Sequence, residues 1–147
     1  MPQVDFYILA EASTEQRLLF GCRLAEKAFK LGHSLYLHCT DSQQGQLLDE
    51  MLWRFQPSSF VPHAQQSNES VQIGWGPLDR DISDNQGTDN TVLINLSLSV
   101  PPFFDRFQRI TEIVVQTPEV LDATRNAWRF YQQQQCTLDR HDLRKGN

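Results

Sequence analysis

The chain has 147 residues, 39% of them hydrophobic, enough to bury one sizeable core and too few for a second full domain. Its 13 lysines and arginines against 18 aspartates and glutamates give a formal net charge of -5, which argues against broad, sequence-blind attraction to nucleic acid. Any anion it binds must meet a local basic patch. Cys22, Cys39 and Cys136 are odd in number and lack CxxC spacing, so neither a disulfide framework nor a zinc knuckle is indicated. No apolar run approaches the ~20 residues that span a bilayer, and Met1-Pro2-Gln3-Val4-Asp5 lacks the basic start of a signal peptide. The expectation is one soluble, cytoplasmic domain over residues 1–147 with reduced thiols and no membrane contact.

Phe6-Tyr7-Ile8-Leu9 is a continuous apolar run, as in a strand buried on both faces. A helix follows: Ser13 with Gln16 has capping-box spacing, Leu18, Cys22, Ala25 and Phe29 line one face, and Gly32 supplies the left-handed position past the end. Ser34 to Cys39 is β-rich again. After Thr40-Asp41-Ser42, the residues Leu47, Leu48, Met51, Leu52 and Phe55 form the apolar face of a helix from Gln43 to Phe55, with Trp53 pointing away from it. Ser59 to His63 reads as a short extended segment between Pro57 and Pro62, and residues 64–70 as loop. Val71 to Gly74 is a brief strand, and residues 76–90 form a long loop. Val92 to Leu96 is the clearest later strand. Pro101-Pro102 favours a helix start with Phe103, Phe104 and Phe107 on its core face. Ile110 to Val115 returns as strand, a last helix runs from about Pro118 to Gln133, and residues 139–147 are a C-terminal tail. Strands alternating with helices at this spacing imply βαβ units and a mostly parallel sheet, a Rossmann-like α/β domain.

The last helix carries Arg125, Trp128 and Arg129 on one face, while Val120, Ala123, Ala127, Phe130 and Tyr131 supply its core stripe. Trp128 is then surplus to folding, an exposed indole between guanidinium groups, unless a loop folds over it. Such a surface suits a ligand that offers negative charge and an apolar or aromatic group. If the helix bearing Trp53 were a neighbour, both indoles would line one cleft with the arginines at its rim.

Catalytic chemistry is not legible. The loop Ala10-Glu11-Ala12-Ser13-Thr14 has no glycine and cannot give the close backbone approach of a P-loop or dinucleotide fingerprint. Asp41 sits where a ribose-binding acid would be in a Rossmann unit, but an N-cap role is the stronger reading. His33, His38, His63 and His141 are scattered, so no metal site or cofactor is expected, and no nucleophile, base and orienting residue can be assembled.

The order and spacing of Phe6-Tyr7-Ile8-Leu9, Cys22 to Ala28, Gly32-His33, Leu48 to Trp53, Ser59 to His63, Val92 to Leu96 and Arg125-x-x-Trp128-Arg129-x-Tyr131 are similar to the chi subunit of bacterial DNA polymerase III, from Val4 to about Leu143. The resemblance implies a single α/β/α layered domain and a non-catalytic accessory subunit. It implies partners too: the psi subunit of the clamp-loader assembly, or in some members a repair-type helicase, and the acidic Pro-Phe-ended C-terminal tail of single-stranded DNA-binding protein. Contact with nucleic acid would be mainly indirect. Carried over by position, Arg125, Trp128 and Arg129 would hold the tail with Trp53 beside them, and Phe60 with Val61 would dock psi or a helicase. Read from its own residues, Phe60 is a buried strand residue. Gln132 stands where the family often has a basic residue, and Gln135-Cys136 replaces a frequent Gly-aromatic pair. A Rossmann-type nucleotide-binding enzyme, resting on Asp41, and a direct single-strand binder stacking bases on Trp53 and Trp128 are the rivals.

Overall fold

A computed structural model describes residues 2–55, 64–65, 71–76 and 91–144, except the side chains of residues 53, 55, 64 and 65. In chain order the elements are β1 (Gln3–Ile8), α1 (Thr14–Lys30), β2 (Ser34–Cys39), α2 (Ser42–Phe55), β3 (Ala64–Gln65), β4 (Val71–Trp75), β5 (Thr91–Asn95), a 3₁₀ turn (Phe104–Arg106), β6 (Arg109–Val114), α3 (Pro118–Gln133) and β7 (Thr137–Asp142). The strands form one sheet in the order β3-β4-β2-β5-β6-β1-β7, and every pairing in it is parallel.

Local signals place the helix ends. Ser13 Oγ accepts from the Gln16 amide at 3.0 Å, and Asp41 Oδ1 accepts from the Gln44 amide at 2.9 Å, so Asp41 is occupied as a cap. Past α1, His33 N donates to Ala28 O and Gly32 N to Phe29 O, with Gly32 at φ 93°: the paired bonds of a Schellman stop. α3 ends the same way, with Cys136 N on Tyr131 O and Gln135 N on Gln132 O. There the left-handed residue is Gln135, at φ 64°, where a side chain is strained.

Strand alternation separates two layers. On β1, Phe6 meets Trp128 and Tyr131 of α3, whereas its neighbour Tyr7 meets Phe20 of α1. α1 and α3 therefore cover opposite faces, and α2 packs beside α1. Gly45 lets α2 lie directly on the Trp75 ring of β4, since a Cβ there would overlap that ring.

Buried polar groups join the layers. Arg17, 4% exposed, donates to Ile113 O (2.8 Å), Leu96 O (2.8 Å) and Ser97 O (3.2 Å). On the α3 side, Glu112 Oε2 accepts from Asn95 Nδ2 at 2.9 Å and Tyr131 OH at 2.7 Å. Burial raises the Glu112 pKa above its ordinary value, and the hydrogen bonds from Asn95 and Tyr131 and the charge of Arg17 oppose that rise.

Four sequence expectations change. The segment after Pro101-Pro102 makes only a 3₁₀ turn, although Phe103, Phe104 and Phe107 are buried as expected. Leu47, placed on the apolar face of α2, is 48% exposed. Ala64–Gln65, placed in a loop, pairs with β4 as an edge strand. Residues 139–142, taken as tail, belong to β7, which pairs with β1 from Gln3↔Thr137 to Ile8↔Asp142. Its sequence Thr-Leu-Asp-Arg-His-Asp has almost no apolar signal because an edge strand is largely solvated. Phe60 and Val61, with most of the 76–90 loop, lie outside the described residues.

Two stability outcomes follow. Replacing Gln135 with Gly should stabilise the protein by roughly 0.5–1 kcal/mol by relieving the left-handed side chain, measured as a shift in chemical denaturation midpoint; an unchanged or lower midpoint contradicts this. For Glu112, a folded pKa raised above the unfolded value means that the native state holds the extra proton. Stability should thus fall as pH rises from the ordinary glutamate value of 4.5 through the raised folded one. Glu112→Gln should lack that slope in denaturation curves taken across the same range.

Candidate functional site

The crevice where α/β sheets usually hold ligands is at the carboxyl ends of the strands, where neighbouring strands send their connections to opposite faces. Here β1 leads to α1 on one face and the adjacent β6 leads to α3 on the other. The chain's own groups fill that point. Gln116 Nε2 donates to Leu9 O at 2.9 Å, Gln116 N to Glu11 O at 2.8 Å, and Arg17 covers the carbonyls of Leu96, Ser97 and Ile113. The void left beside Asn95, Ser97 and Glu112 is about 10 Å³, room for one water and not for a nucleotide. Cys22 and Cys39 are buried, with thiol pKa values pushed up to about 12 by that burial, so neither is a nucleophile at neutral pH. Among the described residues no group of three or more His, Cys, Asp or Glu could hold a metal ion.

The outer edge of the α3 layer has a different character. Arg125 and Arg129 are exposed. Arg125 Nη2 reaches Asp122 Oδ1 at 3.1 Å, but the two side chains are 63% and 75% exposed, so the pair is weak and easily exchanged for another anion. Trp128 does not stand outward with them. It is partly buried against the core, and its ring lies 5.0 Å from that of Phe6 at 53°. The helical angles explain this: Trp128 is 100° from Arg129 and at the flank of the Val120, Ala127, Tyr131 stripe, where the sheet still reaches it. Trp128 is thus part of the packing and not surplus to folding.

α2, the helix that carries Trp53, shares a layer with α1 on the opposite face of the sheet from α3, so the two helices expected to face each other across a cleft lie in different layers.

The structure adds a residue that the sequence reading missed. β7 carries Arg140 in register with Phe6, one strand further out on the same face. Exposed Arg140 accordingly flanks the seam where Trp128 covers Phe6, and it makes no hydrogen bond or ion pair among the described residues. Reading residues 139–147 as tail hid it, and the segment has no apolar alternation that would have marked a strand. The α3 edge therefore brings a partly buried indole together with the cations Arg125, Arg129 and Arg140 in a chain of net charge -5. On the other flank of α3, away from Trp128, Leu98, Val100, Ala127 and Phe130 line a shallow groove of about 310 Å³ between the helix and the loop after β5.

Since Trp128 packs on Phe6, Trp128→Ala should destabilise the fold by about 1–3 kcal/mol, below the cost of a fully buried Trp because the ring is part exposed. Thermal denaturation of the variant measures it; no change would return Trp128 to the exposed class.

The family model of the DNA polymerase III chi subunit, HolC, matches residues 1–139. Proteins named DNA polymerase III subunit chi are similar along most of their lengths. That of Pseudomonas aeruginosa is 38% identical over 146 residues, covering 97% of this chain and 98% of its own. That of Haemophilus influenzae is 30% identical, covering 75% and 76%, and that of Escherichia coli 26% identical, covering 89% and 91%. A match that runs through the α3 arginines and most of the described sheet makes the assignment plain: the chain belongs to the chi subunit family of DNA polymerase III.

Proposed function

We propose that this protein is a non-catalytic adapter of the replicative polymerase assembly. In this reading α3 holds the acidic C-terminal tail of single-stranded DNA-binding protein, and a separate surface docks the psi subunit of the clamp loader or a repair-type helicase. The observation that carries it is the basic edge of α3. Arg125, Arg129 and Arg140 surround a part-buried Trp128 in an otherwise acidic chain, which matches a ligand that ends in carboxylates and an aromatic ring. Guanidinium groups take the carboxylates and the apolar seam takes the ring. A cytoplasmic location goes with this role.

The second surface is assigned to Phe60 and Val61. Trp53 goes with them, since α2 lies in the other layer from α3 and packs near the β3 edge, only seven residues before Phe60 in the chain. Two partners held on separate surfaces can be held together, as a bridge requires. Of the rival readings, nucleotide binding loses ground because Asp41 is a helix cap and the crevice is filled. Single-strand stacking between two indoles loses ground because the helices that bear the tryptophans lie in different layers.

A double dissociation tests the adapter. Calorimetry with an acidic peptide ending in Pro-Phe should show Arg129→Ala weakening binding by roughly 1.5–3 kcal/mol, the scale of a charge-assisted hydrogen bond, with Arg140→Ala acting in the same direction and circular dichroism unchanged. Phe60→Ala should leave that affinity intact while costing about 2 kcal/mol or more in psi binding, as an interface anchor does. If Phe60→Ala instead lowers the melting temperature and weakens both partners, the ring is core and the second surface is lost. Tight binding of single-stranded DNA or ATP in the same format would replace the adapter by one of its rivals.

A further inference from the structure

α1 has two apolar stripes. Leu18, Cys22 and Ala25 are buried against the sheet. Phe20, Leu24, Ala28 and Leu31 form the second, at helical spacing, along a groove of about 540 Å³. This groove lies on the opposite face from Trp128, since its floor includes Tyr7 and Asp5 of β1 and Thr111 of β6. It exists because the residues facing each other across it are small: Ala28 on the helix, and Thr111, Asp5 and Val92 on the strands. Protein interiors normally fill such space.

Its polar groups are unbalanced toward donors. Asp5, 2% exposed, is already countered: Oδ2 accepts from Arg109 Nε at 3.1 Å, and Oδ1 lies 3.0 Å from His141 Nε2 and 3.2 Å from Gln3 Nε2. Arg109 commits only its Nε there, with its side chain 57% exposed, and its terminal nitrogens have no bond among the described residues. Lys27, exposed on the groove wall, forms no ion pair among the described residues, and buried His33 Nδ1 takes no hydrogen bond. At the mouth stand Leu31, 70% exposed, and Leu143, 44% exposed. A site for a small molecule would enclose its ligand; a groove open along two leucines suits a polymer that lies across it.

We propose that this groove is a second docking site, independent of the α3 edge, and that its occupant is an acidic segment of a partner protein. The segment lays an apolar side chain over Leu24 and Ala28 and sets carboxylates against Lys27 and Arg109. The site stands on α1 and the sheet alone, whether or not α3 holds the tail proposed above.

The test titrates the full-length, ¹⁵N-labelled protein with the peptide acetyl-Glu-Asp-Leu-Glu-Phe-Asp-amide, whose blocked ends remove any free terminal carboxylate. Amide shifts should map to residues 24–31 and 109–111. Lys27→Glu should weaken binding tenfold or more, and Ala28→Trp, which fills the groove, should abolish it, whereas Arg129→Ala should leave it unchanged. Lys27 is exposed and without an ion pair among the described residues, so its variant reports on binding even if Ala28→Trp does not fold. Shifts confined to α3, no binding at millimolar peptide, or full binding by Lys27→Glu overturns the proposal. Displacement of the peptide from this groove by single-stranded DNA at far lower concentration overturns it as well, in favour of a nucleic-acid site.

Discussion

The guanidinium of Arg17 is the group on which the architecture turns. A cation 4% exposed is costly to bury, and burial lowers its pKa while the charge of Glu112 raises it. It is kept because its bonds are well placed: one from Nε and one from each terminal nitrogen, to carbonyls at the carboxyl ends of β5 and β6. Those carbonyls would otherwise be open at the end of a parallel sheet. Arg17 comes from the layer of α1, and Glu112, which influences it, is bonded by Tyr131 from the layer of α3. One buried electrostatic relay thus fixes both helices to the same two strands.

That relay has a functional cost that suits an adapter. In an α/β sheet the point where neighbouring connections leave to opposite faces is the natural ligand crevice. Filling it with Arg17, Gln116 and Glu112 removes the crevice and leaves recognition to outer surfaces. The chemistry-bearing residues follow suit. Outside the relay, Arg125 and Arg129 lie on the α3 side of the sheet and Arg109, bonded to Asp5, on the α1 side.

The fold was legible where a segment is buried or capped. Ser13, Gly32 and the apolar runs of β1, β2 and β5 placed their elements because desolvation and capping act through neighbouring residues. Legibility ended at the edges. β7 has no hydrophobic period to read, since its outer side is solvated, and its existence depends on pairing with β1, over a hundred residues away. Missing β7 meant missing Arg140. The reading of Trp128 failed for a related reason. A helical wheel ranks residues by angle, yet whether a flank position is exposed depends on how far the sheet extends beneath it; β1, and Phe6 in particular, extends far enough to meet Trp128. Likewise no local pattern says on which face a helix lands. That follows from strand order, which the long connections before β5 conceal.

Placing Trp128 in the packing changes what its neighbours can do. An indole free on the surface is a flexible contact that must be ordered when a ligand arrives, and ordering a side chain costs binding energy. Held against Phe6, the ring is already in place, and the exposed part of it forms a fixed wall beside exposed arginines. Arg125 has only a weak local tie to Asp122, and Arg140 only the charge of Asp142, without a hydrogen bond or ion pair from its guanidinium among the described residues. In the tail-binding reading proposed above, a fixed apolar wall beside exposed cations would read shape and charge by different means: the wall would set where a ring sits, and the arginines would meet the carboxylates. A similar division holds across the sheet, where Arg109 is anchored through Asp5 and Lys27 forms no ion pair among the described residues. Each face of the protein thereby offers an anion one or more loosely held cations over an apolar surface fixed by the strands below.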